Sequence, residues 1–168
     1  MEYRVVYSKR KSISIHIEKC DIVVKAPLNT EIKVIEDLLL KHREWIVKHI
    51  ELAKKKSALF EGITEDDIIR LKREARIYFK DKTEHFSRIM GLKYGRITIT
   101  SAQKRFGSCS SQGNISYSYR LMLYPEAARE YVVVHELAHL KQMNHSKRFY
   151  DIIASVLPDY KNRKRLLK

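Results

Sequence analysis

Apolar and polar positions alternate over three short stretches at the start of the chain. These stretches are "YRVVYS" (3–8), "SISIHI" (12–17) and "DIVVKAP" (21–27), and each is rich in β-branched residues. This pattern predicts β-strands. The polar segments "SKRK" and "EKCD" between them supply turns, so residues 1–27 are expected to form an antiparallel β meander that ends at Pro27.

From residue 30 onwards the apolar positions recur every three, four or seven residues, which predicts helices over residues 30–90. Thr30 is expected to cap a first long helix that runs to about Ser57. Thr64 is followed by "EDD", and acidic side chains at the positive end of a helix dipole favour a second helix start there. Gly91 is a suitable C-terminal stop.

At the start of the segment 94–157, apolar and polar positions alternate again. "GRITITSA" (95–102) and "NISYSYRLML" (114–123) predict two strands, either a hairpin or neighbours in one sheet. The polar loop "QKRFGSCSSQG" connects them.

The stretch "YVVVHELAHL" is ambiguous on propensity, because three consecutive valines suggest a strand. On a strand, His135 and His139 would lie about 13 Å apart. On a helix they lie one turn apart, with Cβ atoms about 6 Å from each other. Only the helix lets both imidazoles reach one ion, so a helix is predicted from Pro125 to about Gln142.

The last elements complete a single compact domain. Ser146 can cap a further helix through Leu157, and Pro158 opens a basic segment over residues 158–168. With 168 residues and 44% hydrophobic content, the chain can bury one core. The prediction is one α+β domain over residues 1–168, with no linker between its parts.

Charge and cysteine content indicate the kind of partner and the cellular compartment. The 34 Lys+Arg exceed the 20 Asp+Glu and give a net charge of +14, which favours anionic partners without choosing among them. The two cysteines, Cys20 and Cys109, are too few for a disulfide framework, so a reducing cytoplasm is expected. Charges interrupt every apolar run, and no membrane span or signal peptide is predicted.

The segment "HELAH" contains candidate metal ligands and a candidate general base. Hydrolytic zinc sites take three protein ligands and keep a fourth position for water. His135 and His139 supply two imidazoles, and Glu136 points beside the ion, where it can take a proton from that water. His145 is the natural third ligand because "QMN" allows the chain to turn back after the helix. A glutamate elsewhere in the chain is the alternative third ligand.

Two long segments resemble a known family. "RFGSCSSQGNISYSYRLMLYP" and "EYVVVHELAHLKQMNHSKRFYDIIASVLPDYKNRKRLL" are similar to the YgjP-like metallopeptidases, relatives of the SprT and WLM groups. The resemblance implies a small zincin-like fold with a twisted sheet and an active-site helix that carries HExxH. It also implies one zinc ion per chain, held by His135, His139 and His145, with Glu136 as general base.

Two positions depart from related patterns. Phe106 stands where the family usually has a tryptophan. The spacing from His135 to His145 equals that of the metzincins, but Gln142 occupies the place of their required glycine, so the chain is not interpreted as a metzincin.

Tyr150 and Tyr160 are candidates for the donor that stabilises negative charge on the substrate carbonyl oxygen.

The leading prediction is a cytoplasmic zinc metallopeptidase that acts on a peptide or protein substrate. One alternative is a metal-dependent nucleotide phosphohydrolase, such as a nucleoside triphosphate pyrophosphatase, although carboxylate clusters for paired metals and a glycine-rich phosphate loop are missing from the sequence. Another is a peptidase recruited to nucleic acid by its basic surface, although no separate DNA-binding motif is visible.

Overall fold

The computed structural model describes residues 2–167. The chain divides into two compact units, one ending at Gly62 and the other beginning at Ile63. Each unit has its own cluster of buried apolar side chains. The single domain expected from the sequence stays a prediction.

A three-stranded sheet forms the first part of the N-terminal unit. It comprises β1 (Tyr3–Ser8), β2 (Ser14–Glu18) and β3 (Asp21–Pro27) in the order β1-β3-β2. The strands β2 and β3 are antiparallel, and the turn between them places Lys19 and Cys20 at φ 52° and 73°. Two consecutive residues with positive φ are typical of a tight hairpin turn.

The predicted antiparallel meander is wrong for β1, which pairs with β3 in parallel. Burial explains the difference, because Ile22, Val23, Val24 and Ala26 are all buried and give β3 two covered faces. A strand of this kind takes the centre of a sheet and needs a neighbour on each side. The segment 9–20, which includes β2, is long enough for the crossover that a parallel pair requires.

Two helices, α1 (Ile32–Lys41) and α2 (Arg43–Ala58), replace the single long helix that was predicted. The break lies at His42, where φ is −104° and ψ is 17°. Thr30 does not cap α1, because its hydroxyl donates a hydrogen bond to the Pro27 carbonyl oxygen at 3.0 Å. The buried core of this unit consists of Ile22, Val24, Ala26, Ile35, Leu39 and Ile46.

The helix α3 (Glu65–Met90) begins the second unit and confirms the predicted start and stop. The Thr64 hydroxyl accepts a hydrogen bond from the Asp67 amide at 3.2 Å, and the Asp67 carboxylate accepts one from the Thr64 amide at 3.1 Å. This reciprocal pair satisfies two amides that the helix leaves unpaired. Gly91 ends the helix in the left-handed conformation, with φ 61°.

A second sheet has the order β4-β6-β5, with β4 (Ile97–Thr100), β5 (Gly107–Cys109) and β6 (Ile115–Ser118). The predicted strands are neighbours, as expected, and they run parallel. The strand β5 lies within the predicted loop and pairs antiparallel with β6. The predicted strand 114–123 ends at Ser118, whose hydroxyl accepts from the Arg120 amide at 3.4 Å and starts a 3-10 turn.

Three further helices complete this unit: α4 (Glu126–Ala138), α5 (Lys147–Val156) and α6 (Tyr160–Arg165). The helix α4 ends four residues before the predicted Gln142, and α6 was not predicted. The valines that suggested a strand are buried on α4, so packing decides the ambiguity. Across residues 2–167, every helix is too short or too polar to cross a bilayer.

Candidate metal centre

Three imidazoles converge at the end of α4. His135 lies in its last turn, His139 follows as the C-terminal cap, and His145 belongs to the loop before α5. One ring nitrogen of each lies within 4.8 Å of the other two, and the Nε2 atoms of His135 and His145 are 3.2 Å apart. Tetrahedral zinc at its usual Zn–N distance separates ligand nitrogens by about 3.3 Å. The residues therefore fit a zinc-sized cation.

The turn after α4 orients His139. Its Nδ1 lies 3.2 Å from the carbonyl oxygen of Gln142. A carbonyl oxygen can only accept a hydrogen bond, so Nδ1 of His139 carries the ring proton and acts as the donor. Nε2 is then unprotonated and free to bind a metal ion. This hydrogen bond requires α4 to end early. If the helix continued, the Gln142 carbonyl group would point along the helix axis and away from the His139 ring.

Phe149 lies beneath all three histidines and is fully buried. Its ring centroid is 4.9 Å from that of His135, 4.6 Å from that of His139 and 4.8 Å from that of His145. Phe149 was not predicted from the sequence. Its position at the start of the amphipathic helix α5 does not distinguish it from the other apolar residues of that helix.

Tyr131 was also missed, although it lies one turn before His135 on the same helix. Its hydroxyl oxygen is 3.4 Å from Nδ1 of His135. Burial raises the pKa of Tyr131 to about 12. Burial lowers the pKa of His135 to about 3, and the charges of His139, His145 and Lys164 add to this effect. The neutral imidazole is the form that binds a metal ion.

Glu136 is 4% exposed and faces β5. Burial raises the pKa of its carboxyl group to about 8, against the opposing charge of Arg105. A Cβ atom at Gly107 would lie 2.6 Å from Glu136 Oε1, so the carboxylate occupies the space that only a glycine leaves open. The predicted base and two of the predicted ligands thus line one space, a cavity of about 490 Å³.

This cavity, called here the catalytic cleft, is formed by α4, the start of β5, the His145 loop, α5 and the C-terminal residues. Its lining comprises Phe106, Gly107, Tyr131, Val132, His135, Glu136, His145, Tyr150, Lys164 and Leu167. Of the two predicted donors, Tyr150 lines the cleft, whereas Tyr160 stacks behind it with ring centroids 5.9 Å apart.

Other polar side chains near the cleft serve the fold. Ser108 shares a hydrogen bond of 2.8 Å with the Ser116 hydroxyl across the sheet. Asn114 accepts a hydrogen bond from the Arg96 amide at 2.9 Å. Cys109 is a free thiol whose pKa is raised by burial and by the charge of Glu136. A thiol of this kind is a poor nucleophile.

Comparison with known proteins agrees with the class of site. The model of the YgjP-like metallopeptidase domain matches residues 67–168, and the chain belongs to this family. The resemblance seen in the sequence is thereby confirmed, and the protein is a metallopeptidase by family. The solved structure of the metallopeptidase zymogen abylysin from Pyrococcus abyssi shares 25% identity over 53% of this chain and 90% of that chain, with a TM-score of 0.49. No curated protein matches the chain.

Proposed function

We propose that this protein is a zinc-dependent peptidase in which His135, His139 and His145 hold the ion and Glu136 is the general base. The observation that carries the proposal is the convergence of three imidazoles at the cleft whose lining includes a buried carboxylate. Zinc is the metal proposed because three neutral imidazoles with an open fourth position are its usual hydrolytic ligand set. Family membership supports peptide or protein substrates.

When bound at this position, zinc lowers the pKa of a water molecule to near neutrality and polarises the substrate carbonyl group. Glu136 lies one residue beyond His135, so its carboxylate reaches the same space. Its Oε atoms accept the proton of the attacking water and return it to the nitrogen of the leaving amine. Because Gly107 has no side chain, the Glu136 carboxylate can lie against β5, in space that a Cβ atom would fill.

The outer edge of β5 is proposed to bind the substrate backbone. Within residues 2–167 this strand pairs with β6 on one side and with no strand on the other. In an antiparallel pair the backbone groups of alternate residues point away from the partner strand. Ser118 N donates to the Phe106 carbonyl oxygen and Ser110 N to that of Asn114, so the amides and carbonyls of Gly107 and Cys109 belong to the outer edge. An extended peptide can add there as a further strand.

Metal analysis of purified protein tests the ligand set. About one zinc per chain is expected, with loss of zinc in His135→Ala, His139→Ala and His145→Ala. His85→Ala is the matched control, since His85 is an exposed histidine of α3. Wild-type zinc content in the three ligand variants would refute the ligand assignment.

Turnover of a peptide substrate tests the base. Glu136→Gln keeps the shape of the side chain but cannot accept a proton, so we expect retained zinc and a fall in kcat of about 10²- to 10⁴-fold. A Glu136→Gln enzyme with wild-type kcat would refute the proposed role of this residue.

The phosphohydrolase and nucleic-acid alternatives have no comparable support. In the described part of the chain, the three histidines are the one group that could hold a metal ion, so the paired metals of many phosphohydrolases have no candidate ligands there. The cytoplasmic location remains part of the proposal. It is consistent with the free thiols of Cys20 and Cys109.

A further inference from the structure

The basic C-terminal segment forms one wall of the catalytic cleft. Its helix α6 packs on α4, and Arg163 fixes the contact by donating to the Glu130 carboxylate at 2.7 Å. Arg163 also donates to Asp159 at 2.8 Å. Two carboxylates therefore compensate the charge of Arg163, and α6 presents its next residue, Lys164, to the cleft.

Lys164 is a cation without a carboxylate partner among the described residues. Its Nζ lies 5.4 Å from the centroid of the Tyr150 ring. The ring of Tyr150 is in turn 6.4 Å from that of His145. The side chain thus places beside the candidate metal ligands a positive charge that no carboxylate of residues 2–167 pairs with.

A second cavity of about 350 Å³ adjoins the catalytic cleft, because Tyr150 and Lys164 line both. The stacked rings of Tyr150 and Tyr160 form its aromatic floor. Lys161 and Arg165 add two further cations to its wall. Arg165 donates a hydrogen bond of 3.3 Å to Asn162, a neutral side chain, and forms no ion pair with the carboxylates that the structure describes.

We propose that this second cavity is a substrate subsite that selects an aspartate or glutamate side chain near the scissile bond, with Lys164 as its main determinant. The inference rests on the proposed peptidase function. Three cations around an aromatic floor favour a carboxylate, because ammonium and guanidinium groups bind it by charge-assisted hydrogen bonds. The tyrosine rings meanwhile contact the methylene groups of the acidic side chain.

The position of the subsite favours a peptide over a separate polyanion. The two cavities share lining residues, so one extended chain can fill both. The ring-to-ring steps from His145 to Tyr150 and from Tyr150 to Tyr160 are 6.4 Å and 5.9 Å. Together they cover at most about four residues of extended peptide. The selected acidic residue therefore lies within about four positions of the scissile bond.

Cleavage of paired peptides tests the inference. Each pair differs by Glu against Gln at one position within four residues of the scissile bond, and all carry amidated C-termini so that a terminal carboxylate cannot substitute. At the preferred position we expect kcat/KM to be about fivefold to tenfold higher for the glutamate peptide at low salt, and less than twofold higher in 1 M salt. Lys164→Met should reduce the difference to less than twofold, and Lys164→Glu should reduce it at least as far, because the new carboxylate offsets part of the charge of Lys161 and Arg165.

The matched control is Lys93→Met, since Lys93 is an exposed lysine of the same unit that lies outside both cavities. It should keep the glutamate preference. Equal kcat/KM for all pairs in the wild-type enzyme, or a preference that survives Lys164→Met, would overturn the subsite. The same peptides are also tested with free C-termini. A preference for free over amidated C-termini, without a glutamate advantage in the amidated pairs, would assign the cavity to a terminal carboxylate and overturn the side-chain proposal.

Binding measured without turnover separates this inference from the proposed function. Fluorescence anisotropy with labelled peptides and the Glu136→Gln protein should show tighter binding of the glutamate peptide, lost in Glu136→Gln/Lys164→Met. If the wild-type enzyme cleaves no peptide but this difference is present, the peptidase proposal fails and the anion site stands. If a single-stranded oligonucleotide displaces the peptide and binds more tightly through Lys164, the site is a nucleic-acid site and the inference is wrong.

Discussion

Gly107→Ala is the substitution that tests most directly how the proposed base, Glu136, is positioned. A Cβ atom at this position would lie 2.6 Å from Oε1 of Glu136 and 2.8 Å from both Cδ and Cγ. Real Cβ contacts are not this short, so either the carboxylate or the strand β5 must move. The glycine has no positive φ, so the backbone itself accepts alanine and the effect is purely a steric one.

The expected cost follows from the contact. Overpacking of a buried site costs about 1–3 kcal/mol, which lowers the Tm of a unit of this size by several degrees. A displacement of the base by about 1 Å can reduce turnover about 10²-fold. Gly107→Ala should therefore lose most of its activity while its zinc content stays near one per chain, because the added methyl group contacts Glu136 rather than a histidine.

Gly95→Ala is a matched control, because its Cβ atom would lie equally close, 2.6 Å, to Oδ1 of Asn114. This contact lies outside the catalytic cleft, so a similar loss of Tm with near-normal activity is expected. Thermal unfolding of Gly107→Ala in a Glu136→Ala background completes the test. If the cost of Gly107→Ala is undiminished once the Glu136 side chain is gone, the steric argument is wrong.

Two further predictions concern the frame of the site. Glu130 accepts hydrogen bonds from Lys82 and Arg163; burial opposes its ionisation, but these two bonds outweigh it and lower its pKa. Glu130→Gln should cost about 1–2 kcal/mol at pH 7, and the Tm difference from wild type should narrow below about pH 4.5, where the unfolded carboxyl group takes up a proton first. Phe149→Leu should weaken zinc affinity about tenfold or more in a chelator competition, because the rings of the histidines lose their shared floor. Phe79→Leu, at an equally buried phenylalanine that stacks on Tyr117, should destabilise the fold comparably without that loss; equal zinc affinity in both variants would contradict the role given to Phe149.

The convergence of the histidines could be predicted because helix geometry alone brings His135 and His139 together. His145 lies beyond the helix, so its position could be predicted only on the assumption that a short polar turn reverses the chain. Phe149 and Gly107 could not be found in this way. Phe149 is an ordinary apolar position of an amphipathic helix. Gly107 must be a glycine only because Glu136, which is far away in sequence, packs against it.

The errors in the fold have similar physical causes. The pairing of β1 with β3 depends on which strand is covered on both faces, and this is a property of the tertiary packing. The break at His42 leaves no trace in the apolar pattern, because Leu39 and Ile46 are seven residues apart and remain on one buried side. The helix α6 has no apolar periodicity, and its ion pair between Arg163 and Asp159 is visible only once the helix exists.

The helix α4 explains why these separate features act on one site. Glu130 connects it to α3 and α6, Tyr131 and His135 face the catalytic cleft, and Glu136 faces β5. Because Val133 and neighbouring residues bury the rest of its surface, the helix cannot rotate without disturbing the core. A rigid helix fixes the proposed base and the first proposed ligand relative to each other, which is what preorganised catalysis requires. The helix α4 also packs against α6, whose Lys164 supplies the positive charge on which the proposed acidic preference depends.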